Sequence, residues 1–210
     1  HWTTLMVRDG LNGRDALEAT AVVTAAHDGD DEDALFAWLR TSTDELEAAL
    51  VDLDPDRRGW TLLGREEPLT FWRRRRAHEV LLHRWDVDSA RTQPAPIDLA
   101  LALDGIDEVF DTFAPRLGGR VTGEGQTLHL HATDDGLPDG TGEWTATFTP
   151  DGVTWERGHA KGDAAVRGPA SDLLLLLWNR IPAGRLEVFG DTAVVDRWAA
   201  KCGIDNELAH

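Results

Sequence analysis

The 210-residue chain contains a single cysteine, Cys202, and no tyrosine. One cysteine cannot form an internal disulfide, and no cluster of thiolates is available to bind a metal. The most apolar run, Leu173 to Trp178, is far shorter than the ~20 residues that a membrane-spanning helix needs. The sequence also opens without the basic, apolar and small-residue regions of a signal peptide. These absences predict a cytoplasmic protein that does not enter a membrane.

Basic residues are scarce as well. The chain has 21 Lys and Arg against 38 Asp and Glu, which gives a formal net charge of −17. Phosphate backbones and anionic lipids repel such an acidic protein, so nucleic acids and membranes are poor candidates for partners. A small-molecule ligand is the expected partner. The sequence leaves open whether the chain is a monomer or a homodimer.

The most informative stretch is a predicted helix over residues 72–90, which contains no Gly or Pro and has apolar residues at helical spacing. Glu79 and His83 are four residues apart and Asp86 follows three residues later, so all three share one helix face. This spacing suits a divalent metal bound by Glu79 and His83, with Asp86 as the carboxylate that orients His83. His78 is turned about 100° away from Glu79 and is a weaker candidate.

An interpretation without a metal is also open. The pattern ExxxH is short and common, and a Glu–His contact on a surface helix stabilises the helix by only about a few tenths of a kcal/mol. Two interpretations are also open for the four cations Arg73 to Arg76. They form ion pairs with the acidic helix predicted at 44–56 and with neighbouring carboxylates, or they help to bind an anionic ligand.

A family resemblance favours the metal-binding interpretation. The string FWxRRxAHExxxHRxD resembles the signature helix of the mycothiol-dependent maleylpyruvate isomerase family, whose N-terminal domain is a DinB-like four-helix bundle. The residues that match are Phe71, Trp72, Arg74, Arg75, Ala77, His78, Glu79, His83, Arg84 and Asp86. The resemblance implies a divalent metal, zinc, with mycothiol as thiol cosubstrate and an electrophile or diacid as substrate. Arg74 and Arg75 match the pattern and are the candidates for binding the anionic ligand.

The start of the chain departs from the family. A helix is predicted from Trp2 to a stop at Gly10. In the family, a metal-binding His lies about two turns before a Trp that resembles Trp2, and His1 is on the wrong turn to replace it. We therefore expect a truncated bundle that lacks its first helices and the third metal ligand; a member without this ligand is the alternative. A second long helix is predicted from Asp31 to Leu53.

A composition break at Thr92 to Pro96 separates two predicted domains, residues 1–91 and 96–203. After a helix over residues 97–113, period-two alternation and a Pro-Asp-Gly turn predict strands. The predicted strands cover residues 127–131, 144–148, 153–155, 164–167 and 186–189, with helices before the last strand and after it. Consecutive strands followed by helices indicate an α+β protein. The strings LDGIDE, RGPASDLLLLLWNR and LEVFGD resemble the family's C-terminal domain, a small α/β fold similar to sterol carrier proteins.

Arg180 is the candidate functional residue of this second domain, and three histidines are also considered. Arg180 follows a wholly apolar helix and matches an Arg that recurs in the family string. It either compensates charge at the helix C-terminus or binds a substrate carboxylate as the catalytic residue. His129 and His131 share a strand face at a spacing that metal sites accept. With no third ligand near in sequence, a solvated face is the favoured interpretation. His159 is predicted to be an exposed loop residue.

The resemblance implies that a metal-activated external thiol adds to an electron-poor carbon, for cis–trans isomerisation or for S-transfer. Cys202 is a poor substitute for that thiol because it is far in sequence from the signature helix. A non-catalytic small-molecule or lipid binding protein built on the same two domains is the alternative.

Overall fold

The computed structural model describes residues 1–201, so Cys202 and the end of the predicted second domain lie outside it. The chain divides into two compact units, His1–Val80 and a second unit that begins at Leu81. The boundary falls inside one continuous helix, Phe71–Arg91, which is the predicted signature helix and is called α4 below.

The first unit is mainly helical. Its elements are α1 (Trp2–Asp9), α2 (Gly13–Ala25), α3 (Glu32–Val51) and a small antiparallel pair, β1 (Arg58–Trp60) and β2 (Glu66–Pro68), followed by the first half of α4. The predicted helices near residues 2–10 and 31–53 are confirmed. Gly10 ends α1 in a left-handed conformation with φ of 72°, and the side chain of Asp31 caps α3 by accepting from Ala34 N. The β1–β2 pair escaped the sequence analysis because three-residue strands are too short to show alternation.

Three tryptophans form the centre of the first unit's core. Trp72 is fully buried and donates from Nε1 to the Trp60 carbonyl at 3.1 Å, while Trp2 donates to the Gly13 carbonyl at 3.2 Å. A Cβ on Gly13 would lie 2.6–2.9 Å from the Trp60 ring, so this position requires glycine. This core fixes the first turn of α4.

The helix α3 has no buried residue. Leu35, Phe36 and Leu39 are 41%, 54% and 58% exposed, whereas Leu46 and Leu50 are half-buried. The predicted amphipathic helix therefore exists, and part of its apolar face lies open to solvent.

The second unit contains a five-stranded sheet and the remaining helices. Its elements after α4 are α5 (Leu99–Glu108), a π-helical turn (Val109–Phe113), α6 (Ala114–Leu117), a 3₁₀ turn (Gly118–Arg120), β3 (Thr127–Ala132), β4 (Glu143–Thr149), β5 (Gly152–Arg157), β6 (Ala164–Gly168), α7 (Ala170–Leu177), a 3₁₀ turn (Ala183–Arg185), β7 (Glu187–Gly190) and α8 (Thr192–Lys201). The helix predicted over 97–113 instead changes to π geometry at Val109, where Phe110 stacks on Trp155 and Phe113 contacts Trp178.

The strand order is β5-β4-β3-β6-β7, and only the β3–β6 pair is parallel. Leu130 lies opposite Trp144 on β4 and level with Val166 on β6. Alternate side chains point to opposite faces, so Leu128 and Leu130 join the buried core while His129 and His131 share the other face. The predicted strands and the α+β class are confirmed. Among the described residues, no helix has the length and apolar character needed to cross a membrane.

Candidate functional site

The first turn of α4 is tied to the end of α3 by Arg73. Its guanidinium donates to the carbonyls of Leu50, Val51 and Leu53 at 2.7, 3.2 and 2.9 Å. These carbonyls lie at or just beyond the end of α3, where a helix leaves its acceptors unsatisfied. Arg73 therefore donates its hydrogen bonds to the backbone, and not to the carboxylates that the sequence analysis considered.

Two further cations of α4, Arg75 and Arg76, contact Glu79. Arg75 Nη2 lies 3.4 Å from Glu79 Oε2, and Arg76 Nη1 lies 3.0 Å from Oε1. Arg75 is only 4% exposed, whereas Arg74 is half-buried. Glu79, the first predicted metal ligand, is thus a carboxylate held between two guanidinium groups.

The predicted residues His83, Asp86 and Arg180 meet in the second unit. His83 Nδ1 lies 3.3 Å from Asp86 Oδ2, and Arg180 binds the same carboxylate with both Nε (3.1 Å to Oδ1) and Nη2 (3.0 Å to Oδ2). The side chain of His83 is 67% exposed, while that of Arg180 is 21% exposed. A carboxylate thus fixes one ring nitrogen of His83, as in metal sites where it orients the ligand, and an arginine fixes the carboxylate.

A tight turn after α7 places Arg180 next to Asp86. Asn179 adopts a left-handed conformation with φ of 54°, which Asn tolerates better than most residues, and its side chain donates to the Ala199 carbonyl at 2.9 Å. Arg180 Nη1 in turn donates to the Trp178 carbonyl at 2.9 Å. This last bond is to the residue that caps the C-terminus of α7, where the sequence analysis considered that Arg180 compensates charge.

The pKa of Asp86 reflects these contacts. Burial alone would raise it, but the hydrogen bond and charge of Arg180, assisted by His83, outweigh burial and hold the pKa below its ordinary value. Asp86 is therefore ionised at neutral pH and serves as an acceptor for both neighbours.

Asp86→Asn should lower the free energy of unfolding by about 1–2 kcal/mol, because it removes a charge-assisted bidentate pair that is only partly exposed. Asp88→Asn is the matched control on the same helix. Asp88 is 3.6 Å from Arg84, and these two side chains are 48% and 80% exposed, so this change should cost less than about 0.5 kcal/mol. Urea unfolding measures both. Equal losses in the two variants would contradict a structural role for the Asp86–Arg180 pair.

Glu79 and His83 are one turn apart on α4, and both side chains are of types that can bind a metal. A larger group of such side chains lies elsewhere in the described residues 1–201. It consists of His129, His131, Glu143 and His159, whose potential ligand atoms all lie within 4.8 Å of one another. Glu143 is at its centre, because its carboxylate oxygens lie 3.0 Å from His129 Nε2, 3.6 Å from His131 Nδ1 and 2.7 Å from His159 Nδ1. We call this set the His-Glu cluster.

The His-Glu cluster corrects the expectation of a solvated strand face. His129 is only 4% exposed, and burial lowers its pKa although Glu143 acts to raise it. Burial would raise the pKa of Glu143, but the surrounding histidines, His159 first, hold it below its ordinary value. His159 is exposed, as predicted. Sequence reasoning missed the cluster because its members come from three separate segments of the chain. The pairing of β3 with β4 places Glu143 opposite His131, and a prediction of this register would have indicated that the two side chains are close.

Comparison with known proteins gives two family matches. The model "Mycothiol maleylpyruvate isomerase N-terminal domain" matches residues 1–88, and the "MDMPI C-terminal domain" matches residues 100–197. Among solved structures, the chain is similar to a UbiJ-SCP2 ubiquinone synthesis protein, at 24% identity over 49% of this chain and 94% of that chain with a TM-score of 0.36. It is also similar to sterol carrier protein 2, at 18% identity over 50% of this chain and 90% of that chain with a TM-score of 0.31. No curated protein matches. With both domains matched in order, the chain belongs to the mycothiol maleylpyruvate isomerase family.

Proposed function

We propose that the protein is a mycothiol-dependent enzyme that uses a divalent metal, zinc, held by Glu79 and His83. Its reaction is cis–trans isomerisation of a maleylpyruvate-like diacid or S-transfer to an electrophile. Family membership supports the proposal, and the observation that carries it is the arrangement on α4. There, the Asp86 carboxylate fixes Nδ1 of His83, and Arg180 fixes Asp86.

The two donor side chains fit a metal in different ways. His83 is well suited, because its contact with Asp86 occupies Nδ1 and leaves Nε2 for the metal. Glu79 keeps both oxygens near Arg75 and Arg76, so metal binding would weaken one of these ion pairs. Glu79 and His83 would supply two ligands of a zinc ion, and the external thiol would supply another. A zinc ion held there would lower the pKa of a bound thiol and so supply a thiolate at neutral pH.

The arginines bind the anionic groups of substrate and cosubstrate. The chain carries a net charge of −17, which disfavours anions, and the positive charges of Arg74 and Arg75 oppose this effect at α4. Arg180 has five N–H donors, of which three are used by Asp86 and the Trp178 carbonyl. One hydrogen remains on each terminal nitrogen, so Arg180 can bind a substrate carboxylate without releasing Asp86.

Both reactions use the same residues of the chain. In isomerisation, the thiol adds to one carbon of the double bond, the remaining single bond rotates, and the thiol leaves. In S-transfer, the carbon–sulfur bond is kept. The thiol comes from outside the chain, since Cys202 is its only cysteine. We place the protein in the cytoplasm, as a monomer or homodimer without a nucleic-acid or membrane partner.

Incubation of the protein with maleylpyruvate should give the trans isomer only when mycothiol is present. Proton NMR follows this reaction directly, because the vinyl coupling constant distinguishes cis from trans alkenes, and mass spectrometry detects a retained thiol adduct. Cys202→Ser should leave the rate unchanged. Turnover without mycothiol that is lost in Cys202→Ser would overturn the mechanism. Binding of the diacid with neither turnover nor adduct would identify a binding protein instead.

A further inference from the structure

The His-Glu cluster lies on a sheet face that a connecting loop covers. The loop, residues 158–163, joins β5 to β6, and in the sheet β4 and β3 lie between these two strands. A Cβ on Gly162 would be 3.1 Å from the His129 backbone nitrogen and 3.2 Å from its Cβ, so the loop packs directly on this residue. The loop therefore explains why His129 is buried on the face that points away from the core of the second unit.

Both ends of this loop are anchored to the strands beneath it. At its start, Gly158 N donates to the Glu143 carbonyl at 3.0 Å. At its end, Asp163 Oδ2 accepts from Thr127 N at 2.8 Å and from Thr127 Oγ1 at 2.9 Å. Between these anchors, His159 reaches the Glu143 carboxylate. The fold thus brings ligand-type side chains from β3, β4 and the loop to one point.

The buried ring nitrogen of His129 is not satisfied by its neighbours. Its Nδ1 is hydrogen-bonded to Thr145 Oγ1 at 3.1 Å, while its Nε2 is buried and has no hydrogen-bond partner among the described residues. Glu143 Oε2 is only 3.0 Å from Nε2 but lacks hydrogen-bond geometry. If Nδ1 carries the proton, a lone pair faces a carboxylate oxygen; if Nε2 carries it, the proton is misdirected. Either arrangement leaves a buried polar atom without a hydrogen bond, which is unfavourable.

We propose that the His-Glu cluster binds one zinc ion through His129, His131, Glu143 and His159. A cation between Nε2 of His129 and the Glu143 carboxylate would convert their unfavourable approach into two metal–ligand bonds. Three imidazoles and one carboxylate suit zinc, which takes nitrogen and oxygen ligands in tetrahedral sites at about 2.0–2.2 Å. This site is separate from Glu79 and His83 and does not depend on the proposed enzymatic activity.

Zinc binding requires only small movements. Ligand atoms around a tetrahedral zinc are about 3.4 Å apart when each is about 2.05 Å from the metal. The donor atoms of the cluster already lie within 4.8 Å of one another. The His159 side chain is 78% exposed and can close the remaining gap, whereas His129 is held by Thr145 and by the loop above it. Because the protein fills four positions, the site is a structural one that joins the loop to β3 and β4.

Zinc affinity of the full chain, measured by competition with a chromophoric chelator, tests the site. His159→Ala and Glu143→Gln remove ligands at an exposed and a half-buried position, so neither disturbs the core as a change at His129 would. Loss of a residue that only orients a ligand already weakens metal binding by about 10–100-fold, so each variant should bind zinc at least ~100-fold more weakly. His27→Ala is the matched histidine control, and His83→Ala removes any contribution of α4; both should keep the cluster's zinc.

Limited proteolysis gives a second measurement that does not depend on counting metal. The chain has two lysines, Lys161 in the loop and Lys201, so a lysine-specific protease has one site in the loop and one reference site. Zinc should slow cleavage after Lys161 at least about tenfold, leave cleavage after Lys201 unchanged, and have no effect in His159→Ala. Unchanged zinc affinity in both His159→Ala and Glu143→Gln would overturn the proposal. Loss of all zinc in His83→Ala alone would also overturn it.

Discussion

His83→Ala should reduce mycothiol-dependent turnover by at least about 100-fold. A metal ion contributes several kcal/mol of stabilisation to the reacting charge, and about 2.7 kcal/mol already corresponds to 100-fold. On α4, the His83 ring is held by Asp86, and Asp86 is held by Arg180. No other side chain in this arrangement offers a nitrogen to the metal. Loss of His83 should therefore remove the activated thiol and affect kcat as well as kcat/KM.

His27→Ala is the appropriate control for this experiment. His27 also pairs with a carboxylate, Asp30 Oδ2 at 2.8 Å, but it lies outside α4. Since the His83 side chain is 67% exposed, its removal should change the free energy of unfolding by less than about 0.5 kcal/mol. A large rate loss without a stability loss, accompanied by loss of the metal at α4 while the His-Glu cluster keeps its zinc, supports the proposed ligand. Full activity in His83→Ala would show that the metal at α4 takes no part in the reaction.

Trp72→Ala should have the largest effect on stability, a loss of about 3–5 kcal/mol in the free energy of unfolding. Trp72 is fully buried, its ring lies 5.6 Å from that of Trp2 and 6.4 Å from that of Trp60, and its Nε1 satisfies the Trp60 carbonyl. The substitution leaves a cavity and removes a hydrogen bond at the first turn of α4. Chemical denaturation followed by far-UV circular dichroism measures the loss without relying on tryptophan emission.

Trp38→Ala provides the comparison for that measurement. Trp38 stacks on His27 at 4.5 Å but is on α3, a helix without buried residues. The same substitution there should cost about 1 kcal/mol or less, because much less apolar surface leaves water on folding. Similar losses for Trp38→Ala and Trp72→Ala would mean that the three-tryptophan core does not stabilise the first unit as its burial indicates.

The sequence predicts elements whose signals are local. The helix over 72–90 lacks Gly and Pro, Gly10 ends the first helix, and the Pro-Asp-Gly turn marks the β4–β5 hairpin; all three are found. Contacts between distant segments carry no such signal. Asp86 and Arg180 are 94 residues apart in the chain, and family resemblance selected both, but nothing in their spacing joins them.

His129 shows a second limit of sequence reasoning. Alternation along β3 correctly separates Leu128 and Leu130 from His129 and His131. It does not reveal whether the second face is open or covered, because the cover is a polar loop of six residues without regular structure. Burial of His129 follows from the position of Gly162 in that loop, a packing fact that no periodicity encodes.

The three indoles of the first unit should give this protein a distinctive optical signature. Trp2, Trp60 and Trp72 have ring centroids 5.6–6.4 Å apart and interplanar angles of 67°, 79° and 24°. Electronic transitions of rigidly held rings at such separations couple as excitons and produce paired circular dichroism bands of opposite sign in the region of indole absorption. Because all three rings belong to the first unit, these bands would report on the order of that unit alone, without any attached label.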